Sequence, residues 1–201
     1  MNNKAVKELT EKLLIEIDPN PTREGLKDTP KRVAKFWEEF LQPQTSNKTT
    51  FNENMASVNG QIIVQRAIPF YSLCEHHLVP FFGTVAIGYL PDKRLMGLSK
   101  FSRIVDECSR RLQNQERLTS MVLNSIDEGM GGLQHYGGAI VMVEARHLCM
   151  EMRGIRKTGV VTQTISTTGK FTEDTEHTRQ FFNLVNLHYD QVKQRSCGCS
   201  V

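Results

Sequence analysis

The sequence predicts an α+β protein, an antiparallel sheet with helices on one side, preceded by a helical arm. Three observations lead there. Segments rich in β-branched residues come in two pairs, 61–68 with 79–90 and 139–149 with 160–168. Between the pairs lie two stretches with apolar residues every three or four positions, so the order is strand-strand-helix-helix-strand-strand. A polar stretch over 42–57 separates this pattern from two earlier helical segments. The expected organisation is an arm over 1–57 and one domain over 58–201.

The arm opens with an amphipathic helix over 5–17, with Val6, Leu9, Leu13 and Ile17 on one face. Asp18, Pro19, Asn20 and Pro21 stop it. Thr29 as N-cap and Pro30 at the first helical position start a second helix through Val33, Phe36, Trp37 and Phe40. In the second region a strand over 61–68 leads to a turn around Cys74. A strand over 79–90 follows, bent at Gly83 and Gly88, with a short continuation over 95–98. Ser99 caps a helix that buries Phe101, Ile104, Val105, Cys108 and Leu112. Asn114 starts another, with Leu118, Met121, Val122 and Ser125 or Ile126 inward, and glycines over 129–132 end it. After the strands 139–149 and 160–168, Asp174 or Thr175 opens a last helix through Phe181, Phe182, Val185 and Tyr189. Antiparallel pairs leave sheet edges open, and assembly with other subunits is one way to cover them.

The chain has 201 residues, 39% hydrophobic and 23% charged, a composition that suits one globular core with an arm. A net charge of +3 argues against a general nucleic-acid or membrane binder, while local basic clusters can still grip a phosphorylated ligand. No apolar run is long enough to span a bilayer, and the first residues lack the apolar core of a signal peptide. Five cysteines, an odd number without disulfide spacing, point to a reduced, cytoplasmic chain whose thiols are free for metal.

The chemistry concentrates at Cys74, His76 and His77, and again at His147 and Cys149. Cys-x-x-His lets one turn wrap a tetrahedral ion, and zinc favours thiolate and imidazole ligands. Cys74, His77 and Cys149 are therefore read as three ligands of one zinc ion with an open fourth position, which is a catalytic arrangement. His76 and His147 stand beside it as proton-transfer groups. If 139–149 is one strand, His147 and Cys149 share a face and enter the same pocket. Taken singly, each residue also fits an ordinary buried cysteine or core histidine. Two such clusters in a chain with five Cys and six His favour the metal.

Lys100 and Arg103 lie on the first turn of a helix, and Arg153 and Arg156 follow Cys149 closely. Together they suit a polyphosphate near the metal, although basic residues on helix faces are commonly only solvated. Glu116 at a helix start either complements the helix dipole or accepts from the N1–H and amino group of a guanine, and the sequence leaves both open.

Four motifs in order carry a family resemblance: Ser72-Leu73-Cys74-Glu75-His76-His77, the run 97–103 with Gly97, Leu98, Ser99, Lys100 and Arg103, then Gln115-Glu116-Arg117, and the run 147–156. Over most of the chain, from about Asp28 to Phe181, the sequence resembles GTP cyclohydrolase I. The resemblance implies the tunnelling fold, a homodecamer of two pentamers, and active sites at subunit interfaces. It implies conversion of GTP and water to 7,8-dihydroneopterin triphosphate and formate, an entry to tetrahydrofolate or related pterins. By the same resemblance Cys74, His77 and Cys149 are zinc ligands, and His76, His147 and Ser99 are catalytic. Gln115 and Glu116 bind guanine. Ser99, Lys100, Arg103 and Arg153 bind ribose and triphosphate, and Lys35 reaches the phosphates of a neighbouring subunit. The tail with Cys197 and Cys199 matches nothing in the family. Two rivals remain: a nitrile reductase of the same fold, with a cysteine nucleophile and a nicotinamide cofactor, and a binding module in which zinc is only a staple.

Overall fold

The computed structural model describes residues 1–42, 50–52 and 60–186. The chain separates into two compact units, Met1–Pro43 and Gln44–Val201. The expected boundary after residue 57, Tyr189 of the last helix, and the tail with Cys197 and Cys199 lie outside the described residues.

The first unit holds α1 (Asn3–Ile17), a 3-10 turn (Glu24–Leu26) and α2 (Thr29–Phe40). Asn2 caps α1, its side-chain oxygen accepting from the Ala5 N–H at 3.0 Å. The N-cap of α2 is Asp28, one residue before the expected Thr29. Pro30 sits in the first turn, where its missing N–H has no partner to lose. The side of α1 that loses solvent centres on Thr10, with Val6 and Leu14 half-buried one turn either way. Leu9, Leu13 and Ile17 of the expected apolar face are instead 64%, 55% and 66% exposed. Periodicity identified the helix but not the side that packs.

The second unit contains β1 (Thr50–Asn52), β2 (Ile63–Cys74), β3 (Pro80–Pro91), β4 (Arg94–Met96), α3 (Leu98–Ser109) and β5 (Leu112–Gln113). It continues with α4 (Gln115–Met130), β6 (Tyr136–His147), α5 (Leu148–Glu151), β7 (Thr162–Thr167), α6 (Lys170–Glu173) and α7 (Thr175–Asn186). The main sheet has the order β5-β2-β3-β6-β7, and β1 pairs with β4 separately. The strands β2, β3, β6 and β7 are antiparallel, and β5 joins β2 in parallel. Register places Ser72 opposite Phe81 and Phe81 opposite His147, one row across three strands.

Apolar residues line both faces of the sheet. Val85, Ile87, Val141 and Val143 pack with Phe101, Ile104 and Val105 of α3 and with Leu118, Val122 and Ile126 of α4. Their strand neighbours Ala86 and Ile140 point the other way and meet Phe171 and Phe181. Helices therefore cover both faces, not one as expected, because central strands apolar on both sides need cover on both. Register runs unbroken through Gly83 and Gly88, where bends were expected, with irregularities at Gln65/Ile68 and Leu90/Pro91. Gly88 serves close approach instead: a Cβ there would lie 2.6 Å from the Phe181 ring.

Two caps also differ from or refine the expectation. Gly97, not Ser99, precedes α3, and Leu112 leaves that helix for β5. Asn114 does cap α4, accepting from the Arg117 N–H at 2.8 Å, and Gly131 ends it with φ +81°. Among the described residues no helix is long and apolar enough to cross a membrane.

Phe181 is fully buried over Gly88 and Ile140. Phe181→Ala is expected to cost about 3–5 kcal/mol in urea unfolding. A loss within about 0.5 kcal/mol, typical of a surface change, would mean that the second face contributes nothing to stability.

Candidate functional site

β2 delivers Cys74 into a turn that is held from both sides. The Cys74 N–H donates to the Val79 carbonyl at 2.9 Å, and the Cys74 carbonyl accepts from Leu78 N–H at 2.8 Å and His77 N–H at 3.3 Å. The Glu75 N–H donates to Gln113 of β5 at 3.0 Å. Leu78 closes this turn with φ +55°, a left-handed conformation that a branched side chain adopts at a cost of about 1–3 kcal/mol. The turn folds back tightly enough to bring His77 Nδ1 to 3.7 Å and His76 Nδ1 to 3.8 Å from Cys74 Sγ.

Cys149 arrives by a different route from the one the sequence suggested. β6 ends at His147, and Cys149 sits in the helical turn α5, so alternation along a strand does not bring the two together. That turn is closed by Met152 N–H donating to Leu148 at 2.9 Å. It is clamped by Arg146, which donates to both oxygens of Glu151 at 2.8 and 2.5 Å while Glu151 is 9% exposed.

The donor atoms of Cys74, His77 and Cys149 all lie within 4.8 Å of one another and can hold a metal ion. At tetrahedral zinc bond lengths, a sulfur and a nitrogen sharing one ion sit about 3.6 Å apart. The 3.7 Å between Cys74 Sγ and His77 Nδ1 fits that. Cys74 is buried, Cys149 half-buried, and His77 exposed, so the group opens to solvent on the imidazole side. Burial pushes the Cys149 thiol up, the Cys74 sulfur adds to this, and Arg153 opposes it. A divalent cation between the two sulfurs reverses that balance and favours thiolates.

Beside the donors, the His147 ring stacks on Phe81 at 4.8 Å with an interplanar angle of 1°. Its Nε2 lies 2.7 Å from Gln115 Oε1. Burial draws the His147 imidazole below its usual value, and the Glu116 carboxylate draws it back up. Glu116 is thus near enough to act on His147 while its own side chain faces solvent. Gln115, the residue before it, is 1% exposed.

A second clamp ties the Cys74 turn to the start of α4. Glu75 accepts from Asn114 Nδ2 at 3.0 Å and pairs with Arg117, whose Nε donates to Gln113 Oε1 at 2.5 Å. Arg117 and Asn114 hold the Glu75 carboxyl below the usual carboxylate range. Sequence reasoning missed Glu75, Asn114, Arg146, Glu151 and Thr164 as parts of the site. Glu75 and Glu151 stand inside the quoted motifs, but an acidic residue beside a ligand carries no mark of its distant partner.

The structure brings together Cys74, His76, His77 and Cys149, and likewise His147, Gln115 and Glu116; His147 ends β6 two residues before Cys149, and the charge of Arg153 reaches Cys149. Ser99, Lys100 and Arg103 lie on the first two turns of α3, with Ser99 and Arg103 exposed. Lys35 lies on α2 in the first unit, 3.5 Å from Glu39.

The sequence profile of a family described as GTP cyclohydrolase I matches residues 6–186. A protein named GTP cyclohydrolase 1 from Sulfurihydrogenibium sp. (strain YO3AOP1) is 48% identical over 172 residues, 86% of this chain and 89% of the relative. The protein of that name from Streptococcus thermophilus (strain CNRZ 1066) is 41% identical over 186 residues, 92% of this chain and 97% of the relative. The one from Finegoldia magna is 37% identical over 188 residues, 93% of this chain and 100% of the relative. A crystal structure of the archaeosine synthase QueF-Like in the apo form aligns with a TM-score of 0.41 at 16% identity, covering 54% of this chain and 93% of that one.

The Arg146–Glu151 clamp yields a test of the metal centre that touches no ligand. Glu151→Gln leaves every donor in place but loosens α5, and is expected to lower zinc affinity by roughly 10–100-fold. Competition with a chromophoric chelator measures it, and an unchanged affinity would show that α5 holds Cys149 without the ion pair.

Proposed function

Because this chain belongs to the GTP cyclohydrolase I family, we propose that it converts GTP and water to 7,8-dihydroneopterin triphosphate and formate, with zinc held by Cys74, His77 and Cys149. The observation that carries the reading is the convergence of three metal donors, one of them two residues after His147, whose imidazole feels the Glu116 carboxylate. A staple needs the donors alone. An imidazole and an outward carboxylate beside them supply proton transfer and ligand recognition as well.

A zinc ion held by these residues supplies a Lewis-acidic position at which water ionises near neutral pH. His147, as the imidazolium, delivers a proton to the purine N7 during ring opening from Nδ1, the nitrogen that Gln115 does not engage, and is left as the neutral ring. General acid catalysis of this kind contributes roughly 10²–10⁴-fold. His76 and Ser99 assist opening of the ribose before the pterin ring closes. The Glu116 carboxylate accepts from the guanine N1–H and amino group, with Gln115 beside it at the guanine end. Lys100, Arg103 and Arg153 grip the ribose and triphosphate, and Lys35 reaches a neighbouring chain's phosphates.

The site then lies between subunits of a tunnelling-fold decamer built from two pentamers. Supporting this, β7 is a sheet edge, and Leu9, Leu13 and Ile17 form an exposed apolar stripe on α1. A cytoplasmic setting is supported by Cys74 and Cys149, which are free thiols.

Two measurements test the reading. Cys149→Ser is expected to lose both bound zinc and formate release from GTP. Stoichiometric zinc in that variant would remove Cys149 from the ligand set, and loss of zinc with formate release intact would make the metal a staple.

Glu116→Ala is expected to keep zinc, to weaken GTP by on the order of 1–3 kcal/mol, and to erase the preference for GTP over ITP, which lacks the amino group. Lys100→Ala weakens GTP, ITP and ATP alike. Competitive binding of the three nucleotides separates the cases, and a Glu116→Ala protein that still prefers GTP as the parent does would reduce Glu116 to a helix-start residue.

A further inference from the structure

We propose that Gln115 is a positioning residue that fixes the tautomer and ring plane of His147, and that guanine is read without the Gln115 side chain. The inference deepens the function proposed above and rests on it, because it concerns the group that moves the proton.

The argument is an assignment of hydrogens. Gln115 Nε2 lies 3.1 Å from the Val143 carbonyl, 2.9 Å from the Thr162 carbonyl and 3.1 Å from Thr164 Oγ1. Carbonyl oxygens only accept, so the amide group facing them is the NH₂, and the oxygen faces His147. That oxygen lies 2.7 Å from His147 Nε2 and needs a donor there. A neutral His147 must therefore carry its proton on Nε2 and its lone pair on Nδ1. The opposite tautomer would set two acceptors against each other at a part-buried contact, which leaves both without a donor there.

The hydroxyls behind the amide agree with this assignment. Thr119 Oγ1 donates to the Gln115 carbonyl at 2.8 Å, so its hydrogen is committed. The 2.6 Å contact between Thr119 and Thr164 is then made by the Thr164 hydroxyl hydrogen, and Thr164 Oγ1 is left to accept from Gln115. The chain of bonds thus joins the first turn of α4 to β6 and β7. With Phe81 stacked flat on the imidazole, both the plane and the edge of the ring are set.

The same geometry takes Gln115 away from the ligand. At 1% exposure both its amide hydrogens have protein acceptors and its oxygen has a protein donor. Glu116, one residue on, is exposed and faces outward. Neighbouring residues at the helix start therefore divide the work: Gln115 turns inward to orient His147, and Glu116 turns outward to read guanine.

The test uses the zinc-loaded full chain and Gln115→Met, which keeps the volume and removes the amide. Formate release is followed with GTP and with ITP. The expected result is retained zinc, a kcat lower by about 10²-fold, a KM for GTP within about threefold of the parent, and an unchanged GTP-to-ITP ratio of kcat/KM. A KM raised more than about tenfold at unchanged kcat, or a lost preference for GTP, would overturn the proposal and make Gln115 a guanine reader. Should the variant fail to fold, ¹⁵N NMR of His147 in the zinc-loaded parent decides. An Nε2-protonated neutral ring supports the assignment, and an Nδ1-protonated one overturns it. If the parent releases no formate from GTP, the functional reading has failed, and the NMR result still decides the tautomer.

Discussion

The site depends on the register of β2, β3 and β6. Ser72, Phe81 and His147 form one row across these strands, so the Cys74 turn and the end of β6 emerge at the same end of the sheet although they are far apart in the chain. A slip by one residue would turn every side chain on the moved strand to the other face and carry His147 away from Cys74. Hydrophobicity alone guards against such a slip only weakly here, because both faces of β3 and β6 are apolar. Shape supplies the rest. Phe181 needs a residue without a Cβ beneath it, and Gly88 is that residue. Gly83 plays the same part across the ladder, where a Cβ would fall 1.9 Å from the Glu144 carbonyl oxygen.

Register brings the segments near one another, and local clamps complete the geometry. The Cys74 turn carries a left-handed Leu78, and burial together with the neighbouring Cys74 sulfur pushes the Cys149 thiol up. Neither arrangement is favourable by itself, so the surroundings must hold it. Glu75 does so from one side through Asn114 and Arg117, and Arg146 from the other through Glu151. Both pairs sit one or two residues from a metal donor. Both pairs join a donor-bearing turn to a neighbouring element or strand end, which makes orientation of the donors the account of these two.

What the sequence disclosed follows from what each signal measures. Periodicity and cap chemistry found the long helices α1, α2, α3, α4 and α7 and the long strands β2, β3 and β6 with β7, since those depend on neighbours in the chain, but not the short α5, α6, β1 and β5. Motif spacing found Cys74, His77 and Cys149, because metal ligands are constrained by residue type as well as by place. The errors concern partners distant in sequence. Cys149 was put on a strand because 139–149 is β-rich, yet the Arg146–Glu151 pair ends the strand at His147 and winds the next turn. α7 was not given a sheet face of its own because nothing local says which side Phe181 will choose. The stripe of Leu9, Leu13 and Ile17 was legible as an apolar side, but amphipathicity does not report what covers it.

The start of α4 unites these strands of argument. Asn114 caps the helix and also holds Glu75 of the metal turn, Gln115 holds His147, and Glu116 is left free at the surface. Three consecutive residues thus connect to the metal donors, to the imidazole and to solvent. A helix start suits this purpose because successive side chains diverge around its axis while the backbone stays rigid. Leu118, Val122 and Ile126 bury the same helix against the sheet that sets the register. Displacement of α4 would therefore disturb the Cys74 turn, the imidazole and the outward carboxylate together.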